Sequence, residues 1–450
     1  MLRQEVKPVT VFDDELKKMA EEMLVVMHKN IGMGLAANQL GVDKDLLVVE
    51  FRPPLDPARG KLTDDSLKPI PPMALCNARI IKTSQETDTK LEGCLSLPKL
   101  ELPVTRPSGV TVTAQDLAGK PVSIKAKGLL ARILQHEVDH LDGILFTDRA
   151  QGVKNIKNYS WANIVFFGSD EFSILVLEGL LKAGLNVTAV ITETDKRAGR
   201  GDEVTSPLIK KLATEKQLAV VQPESKAEIA SVLQQLQPDL VVLASYGKIL
   251  PEEALEVPVY GALNVHPSLL PKYRGATPLQ SAILAGAKET GVTIMKMNAG
   301  IDTGEVVKQT TATIEPNETF LSLRDKLAKI GADLLIKAIP SYLAGQMKLN
   351  PQGADATQTK KSTKEMGEID WNQSPSMIDR QIRALNPWPG TYTGISNKRL
   401  KILEANIEEG KLILLTVQLE GKNPMSWPEF IRGHESQLKK CSWYAKIRQC

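Results

Sequence analysis

Two histidines set four residues apart constrain the chain more than any other feature. In Leu134 to Phe146, "LQHEVDHLDGILF", His136 and His140 share one face only if the segment is helical, where residues one turn apart are stacked. So placed, both imidazoles reach one metal ion, with Glu137 beside them as a base. A catalytic site of this kind takes three protein ligands and leaves a position for water, so the third ligand decides the chemistry. A metzincin would need a histidine where Phe146 stands, and the next downstream carboxylate of the Glu type, Glu171, falls in a different part of the chain. Upstream, "LEGCLSLP" puts Cys94 in a turn between apolar runs, where a thiolate can approach a metal. Taken alone, that cysteine is equally readable as a small buried apolar residue.

A third segment, "GMGLAANQLGV" from Gly32 to Val42, ends a run of small residues in Gln39. The ordered motifs GMGLAANQ, EGCLS and QHEVDHLDG resemble those of bacterial peptide deformylase over about residues 1 to 150. The resemblance implies an α+β domain in which Cys94, His136 and His140 hold a divalent metal. It implies too that Glu137 shuttles a proton, that Gln39 and the Leu95 backbone N–H stabilise an oxyanion, and that Gly34 contacts substrate. A thiolate with two imidazoles suits iron, the metal expected here, and also zinc or nickel.

At 450 residues the chain exceeds one ordinary core and calls for about three domains. Its 42% hydrophobic and 24% charged residues are those of a soluble globular protein. No apolar run approaches the ~18 residues of a membrane span, and the N-terminus lacks a signal-type apolar core, so a cytoplasmic protein with no membrane partner is expected. Cys76, Cys94, Cys441 and Cys450 show no paired spacing, in keeping with a reducing compartment. The net charge of +3 does not by itself indicate nucleic acid, although from Ser376 onward 12 Lys and Arg stand against 7 Asp and Glu.

Near residue 150 the character changes. "DRAQGVKNIKNYSWA" is polar with little periodicity and reads as a linker. "NIVFFG", the helical "EFSILVLEGLLKAG", "NVTAVIT", "DLVVLAS" and "GALNVH" then alternate as buried strands and helix, the pattern of a parallel Rossmann-like α/β sheet. Such sheets bind ligands at strand carboxyl ends. One of these ends carries Asn264 and His266, two apart and therefore facing the same way, and a later glycine-flanked loop carries Asp302. A structural histidine and a turn-closing aspartate would account for the same residues. No GxGxxG fingerprint is present, so no dinucleotide is expected.

"NVHPSLLPKYRGATP" followed by "GVTIMKMNAGIDTG" resembles the folate-dependent formyltransferases, and "FFGSDEFS", "TDKRAGRG", "SYGKILP", "IDW", "NPWPGTYT" and "MSWPEFIRGH" narrow this to the methionyl-tRNA formyltransferase family over about Asn163 to His434. That resemblance implies that Asn264 polarises a formyl group, His266 handles the amine proton and Asp302 orients the imidazole. The formyl donor would be formyltetrahydrofolate, with Tyr246, Ile249 and Ser268 among its contacts. The partners would be initiator methionyl-tRNA, met by Arg197 and Arg200 of an inserted loop, and N-formylmethionyl nascent peptides near the ribosome. Where many relatives carry a lysine pair after GRG, this chain has Asp202 and Glu203.

The expected layout is a deformylase domain 1–150, a linker 151–162, a formyltransferase domain 163–355, a linker 356–371 and a shortened OB-like β-barrel, 372–450, for tRNA. The residues after His434 read as an RNA contact or an ordinary surface tail. The competing readings are a formyltransferase for another amine, such as a nucleotide sugar or glycinamide ribonucleotide, and a tRNA- or ribosome-binding protein with inactive sites.

Overall fold

The computed structural model describes residues 2–53, 68–198 and 203–444. They divide into two units, Met1–Tyr159 with Pro340–Met347, and Ser160–Ile339 with Lys348–Cys450.

The first unit is α+β. Five antiparallel strands run in the order Gly34–Ala36, Leu46–Phe51, Ile70–Thr83, Gly109–Gln115, Pro121–Lys127, and a separate hairpin pairs Thr87–Cys94 with Leu97–Pro107. Gly109–Gln115 alternates buried and half-buried residues along its whole length, the period of a strand with one face in a core. That core receives Ala131, Ile133, Leu134, Val138 and Leu141 of the helix Gly128–Leu141, which carries both histidines. On the other side of the sheet, Leu16, Ala20, Met23 and Met27 bury one stripe of the helix Asp14–Lys29, whose first turn is capped by Asp13 accepting from the Leu16 N–H at 2.9 Å.

The segment expected as the linker 151–162 is folded. Val153 and Tyr159 are buried, the Tyr159 hydroxyl donates to Val153 O at 2.8 Å, and residues up to Tyr159 belong to the first unit. Two well-spaced apolar side chains are enough to order a polar run, and periodicity does not reveal them. Pro340–Met347 joins the same unit through Thr147, which donates to Ala344 O and accepts from Gln346 Nε2, both at 2.8 Å.

In the second unit a seven-stranded sheet runs Ala219–Val221, Val187–Ile191, Ile164–Phe167, Leu240–Leu243, Ala262–His266, Glu289–Lys296, Val306–Thr313. The first five are parallel and the last two antiparallel. All four residues of Ile164–Phe167 are buried, as the sequence's unbroken apolar run requires of a strand covered on both faces. Asp170 caps the following helix, Glu171–Lys182, by accepting from Ser173 N.

The segment expected as a second linker, 356–371, is also engaged. Arg274 N donates to Thr357 O at 2.8 Å and Thr359 N to Arg274 O at 2.7 Å, so this segment lies along the loop that follows His266. The C-terminal part is an antiparallel sheet of four strands in linear order, Thr391–Ile395, Lys398–Glu408, Lys411–Leu419 and Met425–Ser426, with the helices Pro375–Leu385 and Trp427–Leu438. Ile378, Ile382, Leu400, Ile402, Val417 and Phe430 form its core. Trp443 and Tyr444, in the stretch read from sequence as an RNA contact or an ordinary surface tail, are buried in that core, where Trp443 stacks on Trp371 at 5.2 Å and donates to Gly394 O at 2.8 Å. Among the described residues no helix is long and apolar enough to cross a membrane.

Candidate active sites

The histidine helix and the hairpin bring Cys94, His136 and His140 together, with their ligand atoms all within 4.8 Å of one another. Cys94 Sγ lies 3.2 Å from His140 Nε2, and the two imidazoles meet edge to face at 4.9 Å. A thiolate and two imidazoles on two rigid elements fit a borderline-soft divalent cation. Glu137 Oε2 is buried beside this cluster without a hydrogen-bond partner among the described residues, as expected of an atom that completes its bonding with a group from outside the protein.

Burial raises the Glu137 carboxyl to about 7 against the pull of the His136 and Arg106 charges. Burial works against charge on both imidazoles too, but with opposite results. Hydrogen bonds to Cys94 and Glu92 overcome it and lift His136 to about 10, while His140, facing the His136 and Arg106 charges, drops to about 3. A cation needs both imidazoles neutral, so its binding displaces the proton from His136.

Gly34 begins the edge strand of the sheet, and a Cβ there would collide with the Glu137 carboxylate. The absence of a side chain therefore lets the carboxylate lie against the strand. Gln39 is held rigidly: its Oε1 accepts from Ala36 N at 2.8 Å, which turns Nε2 toward Ser96 Oγ at 3.0 Å and Cys94 Sγ at 3.6 Å. Leu95 lies in the turn between the hairpin strands.

Around these groups runs a buried ionic network that motif reasoning did not pick out. Glu92 Oε2 lies 3.3 Å from His136 Nδ1, Arg106 bonds Glu92 through Nε at 2.7 Å and Nη2 at 2.9 Å, and Arg106 Nη1 reaches Asp139 Oδ2 at 2.8 Å. Arg132 also pairs with Glu92, and Arg149 bonds both oxygens of Asp139. Burial disfavours the Glu92 carboxylate, but His136 and Arg106 outweigh it and hold the group at about 2, so it stays charged. The local signals were present: Glu92 stands two residues before Cys94 and Asp139 inside the histidine motif.

In the second unit Asn264 and His266 end a fully buried strand, 6% and 4% exposed, and Asp302 approaches both. Asp302 Oδ1 is 3.4 Å from Asn264 Nδ2 and 3.6 Å from His266 Nδ1, while Oδ2 accepts from Gly275 N at 2.7 Å. The other ring nitrogen, His266 Nε2, faces the Tyr273 carbonyl at 3.1 Å. Both ring nitrogens of His266 thus face oxygen atoms. Gln352, far away in sequence, steadies the Asp302 loop by donating to Asp302 O and Gly304 O, both at 2.8 Å.

Of the remaining expected contacts, Tyr246 is buried against Phe167 at 5.1 Å, its hydroxyl has no partner among the described residues, and burial pushes its pKa to about 12. Ile249 is exposed. Ser268 is fully buried and its hydroxyl donates to Lys272 O at 2.6 Å, which commits it to closing the loop. The backbone of Arg197 lies in a short hairpin, paired with Val204. Arg200 lies outside the described residues.

The chain matches the family model for polypeptide deformylase over residues 1–156, that for formyl transferase over 162–339 and that for the formyl transferase C-terminal domain over 361–411. It is similar to the methionyl-tRNA formyltransferase of Dehalococcoides mccartyi strain BAV1, 42% identical over 302 residues that cover 61% of this chain and 95% of that one. The methionyl-tRNA formyltransferase of Myxococcus xanthus is 38% identical over 297 residues, covering 60% and 95%. Among solved structures, plant peptide deformylase PDF1B is 38% identical, covering 34% of this chain and 76% of that one, with a TM-score of 0.29. Peptide deformylase from Thermotoga maritima is 36% identical, covering 33% and 90%, with a TM-score of 0.28.

Proposed function

We propose that this chain, which belongs to the methionyl-tRNA formyltransferase family and carries a polypeptide deformylase domain ahead of it, both removes and adds formyl groups. It hydrolyses formyl from N-formylmethionyl peptides and transfers formyl from formyltetrahydrofolate to the amine of initiator methionyl-tRNA. The observation that carries the reading is that each unit holds its own set of reactive groups, Cys94, His136, His140 and Glu137 in one, Asn264, His266 and Asp302 in the other.

For the hydrolysis, Cys94, His136 and His140 would hold a divalent cation, iron by preference, which when bound would supply Lewis acidity and acidify a water molecule. Glu137 accepts the water's proton and returns it to the departing amine. Gln39 Nε2 and the Leu95 N–H donate to the oxygen of the former formyl carbonyl, where negative charge develops. Among the described residues the edge strand Gly34–Ala36 pairs on one side only, with Leu46–Phe51, which leaves main-chain groups for an extended peptide.

For the transfer, the methionyl amine attacks the formyl carbon. Asn264, which cannot titrate, donates to the carbonyl oxygen throughout. His266 takes the amine proton, and the imidazolium so formed is matched by Asp302 and the Tyr273 carbonyl. The folate amine leaves with a proton. Tyr246 and Ile249 contact the donor, and Arg197 and Arg200 the tRNA. Acting on these substrates, the enzyme would work in the cytoplasm near the ribosome. The intact groups at both sites disfavour an inactive RNA-binding protein, and the curated relatives disfavour another amine acceptor.

The purified full chain is to be offered formyl-Met peptide, and separately methionyl-tRNA with formyltetrahydrofolate. Free formate from the first and formyl-methionyl-tRNA from the second are expected. Failure of either turnover with the metal restored removes that half of the reading.

A further inference from the structure

Where the helix Pro375–Leu385 packs against the turn that follows the helix Pro278–Leu284, a cavity of about 420 Å³ opens, lined among others by Gly286, Lys288, Glu315, Arg380 and Arg383. Its basic residues differ in how they are compensated. Arg383 is satisfied inside the protein, with Nε on Asp379 Oδ2 at 2.8 Å and Nη1 on Glu318 O at 2.7 Å. Arg380 is not: its Nε is buried and has no hydrogen-bond partner among the described residues. A guanidinium offers five donors and cannot lose its charge, so with Nε sealed from solvent it is the remaining nitrogens of this half-buried side chain that are left for an outside acceptor.

Gly286 makes the arrangement possible. Its φ is +66°, and a Cβ there would overlap Arg380 Nη1, so the guanidinium lies directly against bare backbone. Lys288, exposed two residues on, adds a second positive charge, and Glu315 is the one carboxylate in the lining, which leaves the cavity net positive by one when Arg383 is counted with Asp379. A planar, uncompensated guanidinium with an ammonium beside it is the donor set that suits a phosphate oxyanion.

The strand register places this cavity relative to the transfer site. His266 is paired with Thr293, and Glu289–Lys296 runs antiparallel, so Lys288 lies beyond the carboxyl end of Ala262–His266. The offset is five residues, on the order of 15 Å along the strand direction at the ordinary rise. A polyanion whose end sits at Asn264 and His266 and whose backbone leaves past the carboxyl end of that strand would have Lys288 within about that distance.

We infer that the Gly286–Arg380 cavity is a phosphate subsite, occupied by a backbone phosphate of the RNA whose aminoacyl end reaches His266. The inference rests on the methionyl-tRNA reading above. No residue of the cavity was marked by a motif, and the free ion, inorganic phosphate, shares the chemistry.

The test uses the full chain as wild type, Arg380→Ala and Arg380→Lys. Methionyl-tRNA affinity is measured over a series of KCl concentrations, and thermal unfolding is followed with and without inorganic phosphate. Arg380→Ala should weaken tRNA binding about tenfold and lower the slope of log affinity against log salt by about 0.9, the loss of one phosphate contact. Arg380→Lys should restore the slope and only part of the affinity. Unchanged KM for formyltetrahydrofolate and unchanged peptide deformylation in both variants show that the chain is folded. If phosphate raises the melting temperature of wild type alone while tRNA affinity and slope stay constant, the site takes the free ion and the RNA assignment is wrong. If neither tRNA affinity nor phosphate stabilisation responds to Arg380, there is no subsite. A wild type that formylates methionyl-tRNA in that case keeps the proposed function and loses only the cavity, whereas a wild type that cannot do so loses the function itself.

Discussion

Glu92 Oε2 lies 3.3 Å from His136 Nδ1, and Arg106 grips both oxygens of the same carboxylate. The contact fixes which imidazole nitrogen faces Cys94 and His140, because a carboxylate only accepts and so keeps a proton on Nδ1. Glu92→Gln, close in shape but uncharged, should weaken metal affinity by about 10- to 100-fold, the usual cost of losing such an outer partner. Competition with a chromogenic chelator reads this directly. Equal affinity in the two proteins would leave Glu92 a purely structural residue.

The ligand and the base at this site should separate cleanly. Cys94→Ala should lose bound metal and deformylation together, whereas Glu137→Ala should retain metal and lose about 10²- to 10⁴-fold in turnover. Elemental analysis beside a formate-release assay distinguishes them. Undiminished metal in Cys94→Ala would overturn the ligand assignment.

Gly34 tests the close approach to Glu137 from the other side. Gly34→Ala puts a methyl group where the carboxylate lies, so deformylation should fall by about tenfold or more while metal content holds, since a displaced catalytic group costs heavily. Kinetics with metal analysis on the same sample decides the matter, and a normal rate would mean that the carboxylate has another position available.

The acidity of Glu137 sets the direction of the pH dependence. Burial raises its carboxyl above the ordinary value to about 7, so the protonated form predominates below that pH and the basic form above it. Deformylation should therefore rise with pH through this range and level off above it, with a bound cation's charge moving the limb toward acid. A profile of kcat/KM between pH 5 and 9 measures it. A rate that falls steadily as pH increases over this range would contradict a base role.

Asp302 holds Asn264, His266 and the Gly275 N–H through one carboxylate. Asp302→Ala and His266→Ala should each reduce formyl transfer by about 10²-fold or more and leave peptide deformylation intact. Likewise, Glu137→Ala should not change how fast formyl-methionyl-tRNA accumulates, because peptide-backbone recognition excludes a substrate without successive main-chain groups. Markedly higher accumulation in that variant would show that the two sites share the intermediate.

Local rules were sufficient for what depends on local geometry. Two histidines four apart imply a helix and one shared face, an apolar run such as Ile164–Phe167 implies a strand covered on both sides, and Asn264 and His266, two apart on a strand, must point together. The ordered motifs then named Cys94 and Asp302 as the distant partners. Tertiary structure alone decided the rest, because it depends on residues far apart in sequence whose spacing carries no period. The polar run 151–159 is ordered by two buried side chains, Trp443 and Tyr444 complete a core that begins at Ile369, and Gln352 steadies a loop fifty residues upstream. Arg106 bridges Glu92 and Asp139 in the same way, and Arg380 meets Gly286 only once two helices have packed. A charge is judged by whether its partner arrives: packing across the fold brings Glu92 and Asp139 to Arg106 and brings the Arg380 Nε none among the described residues, and no window of sequence contains either outcome.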